Sequence, residues 1–177
     1  MGVGVYPIDM RGKTGGQLPE MKRISVLLAD DHAIVRDGLR AFLKAEADIE
    51  VVGEAKNGRQ AVKLAQKLRP DVVLMDICMP LLNGLEATRM ILSTLPRTKV
   101  IILSAHGDDA YVERAIELGA VGYLLKQSCA CLLAKAIRDV QKGRMVFCPS
   151  VAKGRVKSTG RRLPVAVGAG LARWLDG

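Results

Sequence analysis

The chain carries no CxxC pair and only two histidines among its 177 residues. A structural zinc site needs closely spaced Cys and His ligands, so none is expected. The four cysteines, Cys78, Cys129, Cys131 and Cys148, read instead as reduced thiols in small core or surface positions. No apolar stretch approaches the length of a membrane span. The first residues, MGVGVYPIDMRGKTGG, are broken by Asp9, Arg11 and Lys13 and lack the apolar region of a secretory leader. A soluble cytoplasmic protein without membrane contact is the expectation. No internal repeat is visible.

What is present is a globular composition, 49% hydrophobic, with an uneven charge. Residues 24–141 hold 15 Lys/Arg and 15 Asp/Glu, while residues 142–177 hold eight Lys/Arg against one Asp. The formal excess of +9 therefore belongs mostly to the tail and says nothing about nucleic-acid binding by the rest.

From Ile24 onward, strand-like and helix-like segments alternate. ISVLLA (24–29) reads as a strand, followed by a helix with Val35, Leu39, Phe42 and Leu43 on one face. IEVVGEA is a second strand and Asn57-Gly58 a turn. Ala61, Leu64, Ala65 and Leu68 mark a second helix, stopped by Pro70. VVLM is a third strand, and a helix follows from about Gly84 to Leu95. VIIL is a fourth strand, and Val112, Ala115 and Ile116 mark a helix with Gly119 as its C-cap. GYLL is a fifth strand, and Leu133, Ala136, Ile137 and Val140 form the last stripe. Five successive β-α units imply an α/β fold, a doubly wound five-stranded parallel sheet with five helices. The domain is expected over residues 22–145, with an N-terminal extension (1–21) and a basic tail (146–177) that lack this order. Met21-Lys22-Arg23 also reads as a domain start, which suggests that residues 1–20 come from an upstream start codon.

Polar residues sit where the apolar runs stop: Asp30 and Asp31, Asp76, Ser104 and Lys126. Parallel strands bring their carboxyl ends to one crevice. Three carboxylates, a hydroxyl and an ammonium there could receive a phosphoryl group with a divalent cation. Two carboxylates about 5 Å apart repel by roughly 3 kcal/mol at an effective dielectric of 20. A third makes a cation necessary, and Mg²⁺ suits a few carboxylates plus phosphate oxygens. Asp76 alone would cap a loop, and an Asp-Asp pair also suits the N-cap of the helix that begins AIVRDGL. His32 and His106 fall in loops or a helix start beside the crevice, and neither is expected to bind metal or carry phosphate.

The strings VLLADDHAIVRDGL, PDVVLMDICMPLLNGLEA, VIILSAH and ELGAVGYLLK, in this order, resemble a response-regulator receiver domain, nearest to the NarL/LuxR-type subfamily. The resemblance implies a CheY-like, flavodoxin-like strand order 2-1-3-4-5. It implies Asp76 as phosphoacceptor for a sensor histidine kinase. Asp31 is then a direct Mg²⁺ ligand, Asp30 one often acting through water, and the Cys78 backbone carbonyl a further ligand beside Asp76. Ser104 and Lys126 are to contact phosphoryl oxygens, and Tyr123 is to act as the aromatic switch. Output would be altered association, including homodimerisation on phosphorylation, in transcriptional regulation. No catalysis is expected beyond self-dephosphorylation.

Two features depart from the pattern. Gln127 stands where many receivers have Pro after the Lys, as is common in the NarL-type branch. The tail, VAKGRVKSTGRRLPVAVGAGLARWLDG, offers no convincing helix-turn-helix. The reading is a remnant left by truncation or frameshift, able to contact DNA only without sequence preference. Two other classes compete. A DNA-binding regulator would act through the basic tail, whose aromatics are Phe147 and Trp174. An Asp-nucleophile phosphatase would want an acid two residues after Asp76, where Cys78 stands.

Overall fold

The computed structural model describes residues 22–105 and 107–147. The N-terminal extension, His106 and the tail beyond Phe147, Trp174 included, lie outside the described residues.

Each apolar run forms a strand, and each helical stripe a helix. The order is β1 (Ile24–Ala29), α1 (Ala33–Lys44), β2 (Ile49–Ala55), α2 (Gly58–Leu68), β3 (Val72–Asp76) and α3 (Gly84–Thr94). It continues with β4 (Lys99–Ser104), α4 (Asp109–Glu117), β5 (Gly122–Leu125), a 3₁₀ turn (Lys126–Ser128), α5 (Cys129–Gln141) and β6 (Val146–Phe147). All strands are parallel, in the order β2-β1-β3-β4-β5-β6.

The sheet thus has the expected order and one strand more than the expected five. Strand pairing continues two residues past Met145. Val146 and Phe147 are fully buried and pair with Gly122 and Tyr123 beside β5. Two residues are too short for a periodicity signal. The edge of β5 and the groove beside α5 nevertheless give the pair somewhere to bury.

Alternate strand residues face opposite layers, as period two requires. Leu27, Ala29, Val73, Met75, Val100, Ile102 and Tyr123 pack under α2, α3 and α4. Val26, Leu28, Val72, Leu74, Ile101, Leu103 and Leu124 pack under α1 and α5. Both faces are covered, which is why the strands read as continuous apolar runs rather than alternating ones.

The helix ends follow local chemistry. Asn57 and Gly58 start a helix rather than form a separate turn: the Asn57 side chain accepts from Gln60 N at 2.8 Å and caps α2. Asn83 does the same for α3, accepting from Glu86 N at 2.9 Å. The C-cap of α4 is Leu118 rather than the expected Gly119, which stands one residue on, takes φ +95° and donates to the Ile116 carbonyl. Gly84 is required for a different reason. A Cβ there would lie 1.8 Å from the Asp76 carbonyl oxygen, so α3 can begin beneath the end of β3 only without a side chain.

Candidate functional site

Strand register assembles the site. Ala29 pairs with Met75, which puts Asp30 level with Asp76. Asp76 pairs with Leu103, so Ser104 follows one residue on. Ser104 pairs with Leu125, and Lys126 is the next residue. The residues read from the ends of the apolar runs therefore meet at one end of the sheet.

Lys126 Nζ bridges the two buried carboxylates, 2.7 Å from Asp30 Oδ2 and 3.1 Å from Asp76 Oδ2. Asp30, Asp76 and Ser104 are each less than 5% exposed. Asp31 is more open, with its Oδ1 2.8 Å from His32 Nδ1. Asp30 Oδ1 accepts from the His32 backbone N–H at 2.9 Å and lies 3.2 Å from His32 Nδ1. Neither Asp caps α1 through its side chain. His32 holds the N-cap position, also without a side-chain cap, so the acidic pair stays free to face the crevice. The Arg36 side chain donates to the Asp30 carbonyl at 2.7 Å and ties the pair to α1.

Burial raises the Asp76 carboxyl above its ordinary value, against the pull of Lys126 and of the Cys78 amide hydrogen bond. Burial also depresses the Lys126 ammonium, but hydrogen bonds and charge from Asp30 and Asp76 outweigh it and leave the value raised. Lys126 is thus a firm cation, and Asp76 a carboxylate whose ionised form the protein accommodates at a cost. Tyr123 is fully buried, which raises its phenol, and it is hydrogen-bonded to Ser104. Cys78 is exposed and is a free thiol. No peptide bond is cis among the described residues, Lys126–Gln127 included.

The donor set fits a small hard divalent cation. Three carboxylates face one ammonium. The buried Oδ2 atoms of Asp30 and Asp76 are paired with the Lys126 ammonium, and each carboxylate oxygen keeps a further lone pair to offer a cation. Ligand atoms of Asp30, Asp31, His32 and Asp76 all lie within 4.8 Å of one another. The structure brings His32, not expected to bind metal, into the cluster. Its place immediately after the Asp pair was the only available signal. His106, the other histidine, lies outside the described residues.

A groove of about 550 Å³ lies elsewhere, along β2 and α1, lined by residues such as Arg23, Lys44 and Gly53. Beside the crevice two large apolar side chains face solvent, Ile34 at 87% and Leu81 at 70% exposure.

Comparison with known proteins agrees with this fold. Residues 26–138 match the response regulator receiver domain. The transcriptional regulatory protein LiaR of Bacillus subtilis is 50% identical over 135 residues, covering 76% of this chain and 64% of LiaR. The transcriptional regulatory protein DegU of Brevibacillus brevis is 41% identical over 135 residues, covering 76% of this chain and 57% of DegU. The chain therefore spans less than two thirds of these relatives. A two-component response regulator of the LuxR family from Aurantimonas superposes with a TM-score of 0.71 at 34% identity, covering 75% of this chain and 94% of that one.

Proposed function

The chain belongs to the response regulator receiver family, and from that premise we propose that it accepts a phosphoryl group on Asp76 from the phosphohistidine of a sensor kinase. The observation that carries this is the Lys126 ammonium bridging Asp30 and Asp76 at the carboxyl end of the sheet. An Asp76 oxygen attacks phosphorus, an O–P bond forms, the donor's P–N bond breaks, and the imidazole leaves. Phosphorylation turns the Asp76 carboxylate into an acyl phosphate with more negative charge, which the adjacent Lys126 ammonium is placed to offset. Asp30, Asp31, Asp76 and the Cys78 carbonyl would hold Mg²⁺, which offsets the charge of the transferring group when bound. Lys126 then exchanges its contact with Asp76 for a phosphoryl oxygen. The exposed apolar side chains of Ile34, at the start of α1, and Leu81, five residues past Asp76, offer contact surface to a protein donor.

Ser104 is the second group to respond. Its hydroxyl is shared with Tyr123 now, and recruitment by a phosphoryl oxygen would change that bond. Tyr123 thereby couples the site to the surface of α4 and β5, where altered association, including homodimerisation, would follow. Transcriptional regulation is the setting suggested by relatives so named, and the cytoplasm is the compartment that goes with it. Water attack on the aspartyl-phosphate, aided by the same residues, is the only turnover in this reading. The phosphatase alternative is weaker, because the exposed Cys78 thiol occupies the position of the required acid. The domain limits we propose are residues 22–147, with the flanks contributing at most sequence-independent phosphate contacts through the basic tail. Incubation with a small phosphodonor and Mg²⁺ tests the core of this. One phosphoryl group should appear by mass spectrometry, and Asp76→Asn should take none; equal uptake by that variant defeats the assignment.

A further inference from the structure

The sixth strand lies beside Tyr123. Val146 and Phe147 pair with Gly122 and Tyr123 and cover that stretch of the β5 edge. Their side chains enter opposite layers. Val146 joins the core under α5 with Ala136 and Val140, and Phe147 joins the core under α4 with Val112, Ala115 and Tyr123. Tyr123 and Phe147 are strand partners on one face of the sheet, and both are buried. Tyr123 is in turn hydrogen-bonded to Ser104, which follows the strand partner of Asp76. A line of neighbours therefore runs from Asp76 through Ser104 and Tyr123 to Phe147.

β6 is lightly held in that seat. It is two residues long, whereas β5 pairs along all four of its residues with β4 on the other side. The chain entering β6 is clasped to α5 by Arg144. Its backbone N–H donates to the Asp139 carbonyl at 3.0 Å, and its guanidinium reaches Asp139 Oδ1 at 3.2 Å. That clasp is half made: Asp139 is buried, and its Oδ2 has no hydrogen-bond partner among the described residues. A buried acceptor left unpaired weakens the arrangement that buries it, and short, weakly held edges open before the rest of a domain. Packed interiors have no slack, so a shift of Tyr123 is felt by the side chain seated beside it. Of the two strands flanking β5, β6 is the one that can give way.

We propose that β6 is a latch on the edge of β5, closed in this structure and loosened when Ser104 and Tyr123 respond to a phosphoryl group, so that the backbone edge of Gly122 and Tyr123 opens for association. This rests on Asp76 as the acceptor, and the test separates the two. The full chain is incubated with acetyl phosphate and Mg²⁺, beside Asp76→Asn, Arg144→Gln and Phe147→Ala. Mass spectrometry reads phosphoryl uptake. Hydrogen exchange at the Val146 amide, which donates to the Val121 carbonyl at 2.9 Å, reads the latch. Wild type should take up one phosphoryl group and exchange about tenfold faster at Val146, and Asp76→Asn should do neither. Arg144→Gln, altered outside the crevice, should take up the group like wild type and exchange faster even before it does. Coupling is reciprocal, so Arg144→Gln and Phe147→Ala should each bind beryllofluoride, a phosphoryl mimic, with Mg²⁺ more tightly than wild type. Full uptake by wild type with unchanged or slower exchange at Val146 overturns the latch and leaves the acceptor standing. Faster exchange in Asp76→Asn as well ties the response to something other than the phosphoryl group and also overturns it, as does wild-type beryllofluoride affinity in Arg144→Gln, which leaves the core intact. Absence of uptake by wild type removes the acceptor reading, and this proposal with it.

Discussion

Two clusters in this domain are built from the same ingredients, carboxylates around one basic side chain, and they behave oppositely. At the carboxyl end of the sheet, Lys126 bridges Asp30 and Asp76, both buried. On the side of the domain where α5 meets the α1–β2 connection, Arg138 on α5 joins Glu46 and Asp48. Arg138 Nε donates to Asp48 Oδ2 at 2.7 Å while its terminal nitrogen reaches both acids, a fork geometry that only a guanidinium provides. There the hydrogen bond from Arg138 holds the Asp48 carboxyl below its ordinary value, and the two acids hold the guanidinium above its own. In the crevice burial dominates, and Asp76 is raised. Each cluster holds one carboxylate more than its cation. In the half-exposed one solvent and the guanidinium fork offset the surplus, and it acts as a clasp. In the buried one little solvent is present to do so, which suits it to taking up a cation.

The largest expected difference is chemical. Asp76→Asn should abolish phosphoryl uptake, whereas Asp48→Asn should leave it at the wild-type level, both read by mass spectrometry after exposure to a phosphodonor with Mg²⁺. If Asp48→Asn also blocked uptake, the distinction between a clasp and an acceptor site would collapse.

A smaller effect, on stability, separates the two basic residues. Lys126→Met strands two buried carboxylates, and breaking such a pair costs about 3 kcal/mol. Arg138→Met releases partly exposed groups that water can resolvate, at about 1 kcal/mol. Saturating Mg²⁺ should restore much of the loss in Lys126→Met and none in Arg138→Met. Urea unfolding with and without Mg²⁺ measures both. Equal losses, or rescue of the Arg138 variant, would show that burial does not set the clusters apart.

The comparison also explains what could be read in advance. The crevice was legible because each of its residues directly follows an apolar run, so strand position and parallel order alone bring Asp30, Asp76, Ser104 and Lys126 together. The Arg138 clasp was not, because it joins residues about 90 positions apart on elements whose facing sides follow only from packing. β6 escaped notice for its length, and Asn57-Gly58 was read as a turn because capping and turn chemistry favour the same residue. His32 lay one residue past the acidic pair, and only its ring position shows that it belongs with them. Gly84 carried no signal at all, since its need appears only when the start of α3 is placed against the Asp76 carbonyl.

The smallest effect lies in how each cluster's contribution varies with pH. The Asp76 carboxyl is raised above its ordinary 3.8. Its favourable contribution is therefore complete below 3.8 and is lost as pH climbs through the raised value, so ionised Asp76 opposes folding at neutrality. The Asp48 carboxyl is lowered. Its contribution is present above 3.8 and is lost as pH falls through the lowered value. Asparagine at each position removes the titration. Asp76→Asn should stabilise the domain at pH 7, with the gain shrinking as pH falls through the raised value and gone below about 3.8. Asp48→Asn should destabilise it at pH 7, with the loss shrinking over a more acidic window. Each difference should be about 1 kcal/mol or less, because Lys126 keeps Asp30 as a partner in one case and solvent screens Asp48 in the other. Unfolding free energies from pH 7 down to pH 3 would give curves of opposite sign. Curves of the same sign would mean that Lys126 outweighs burial at Asp76, and the acceptor would then be a second clasp.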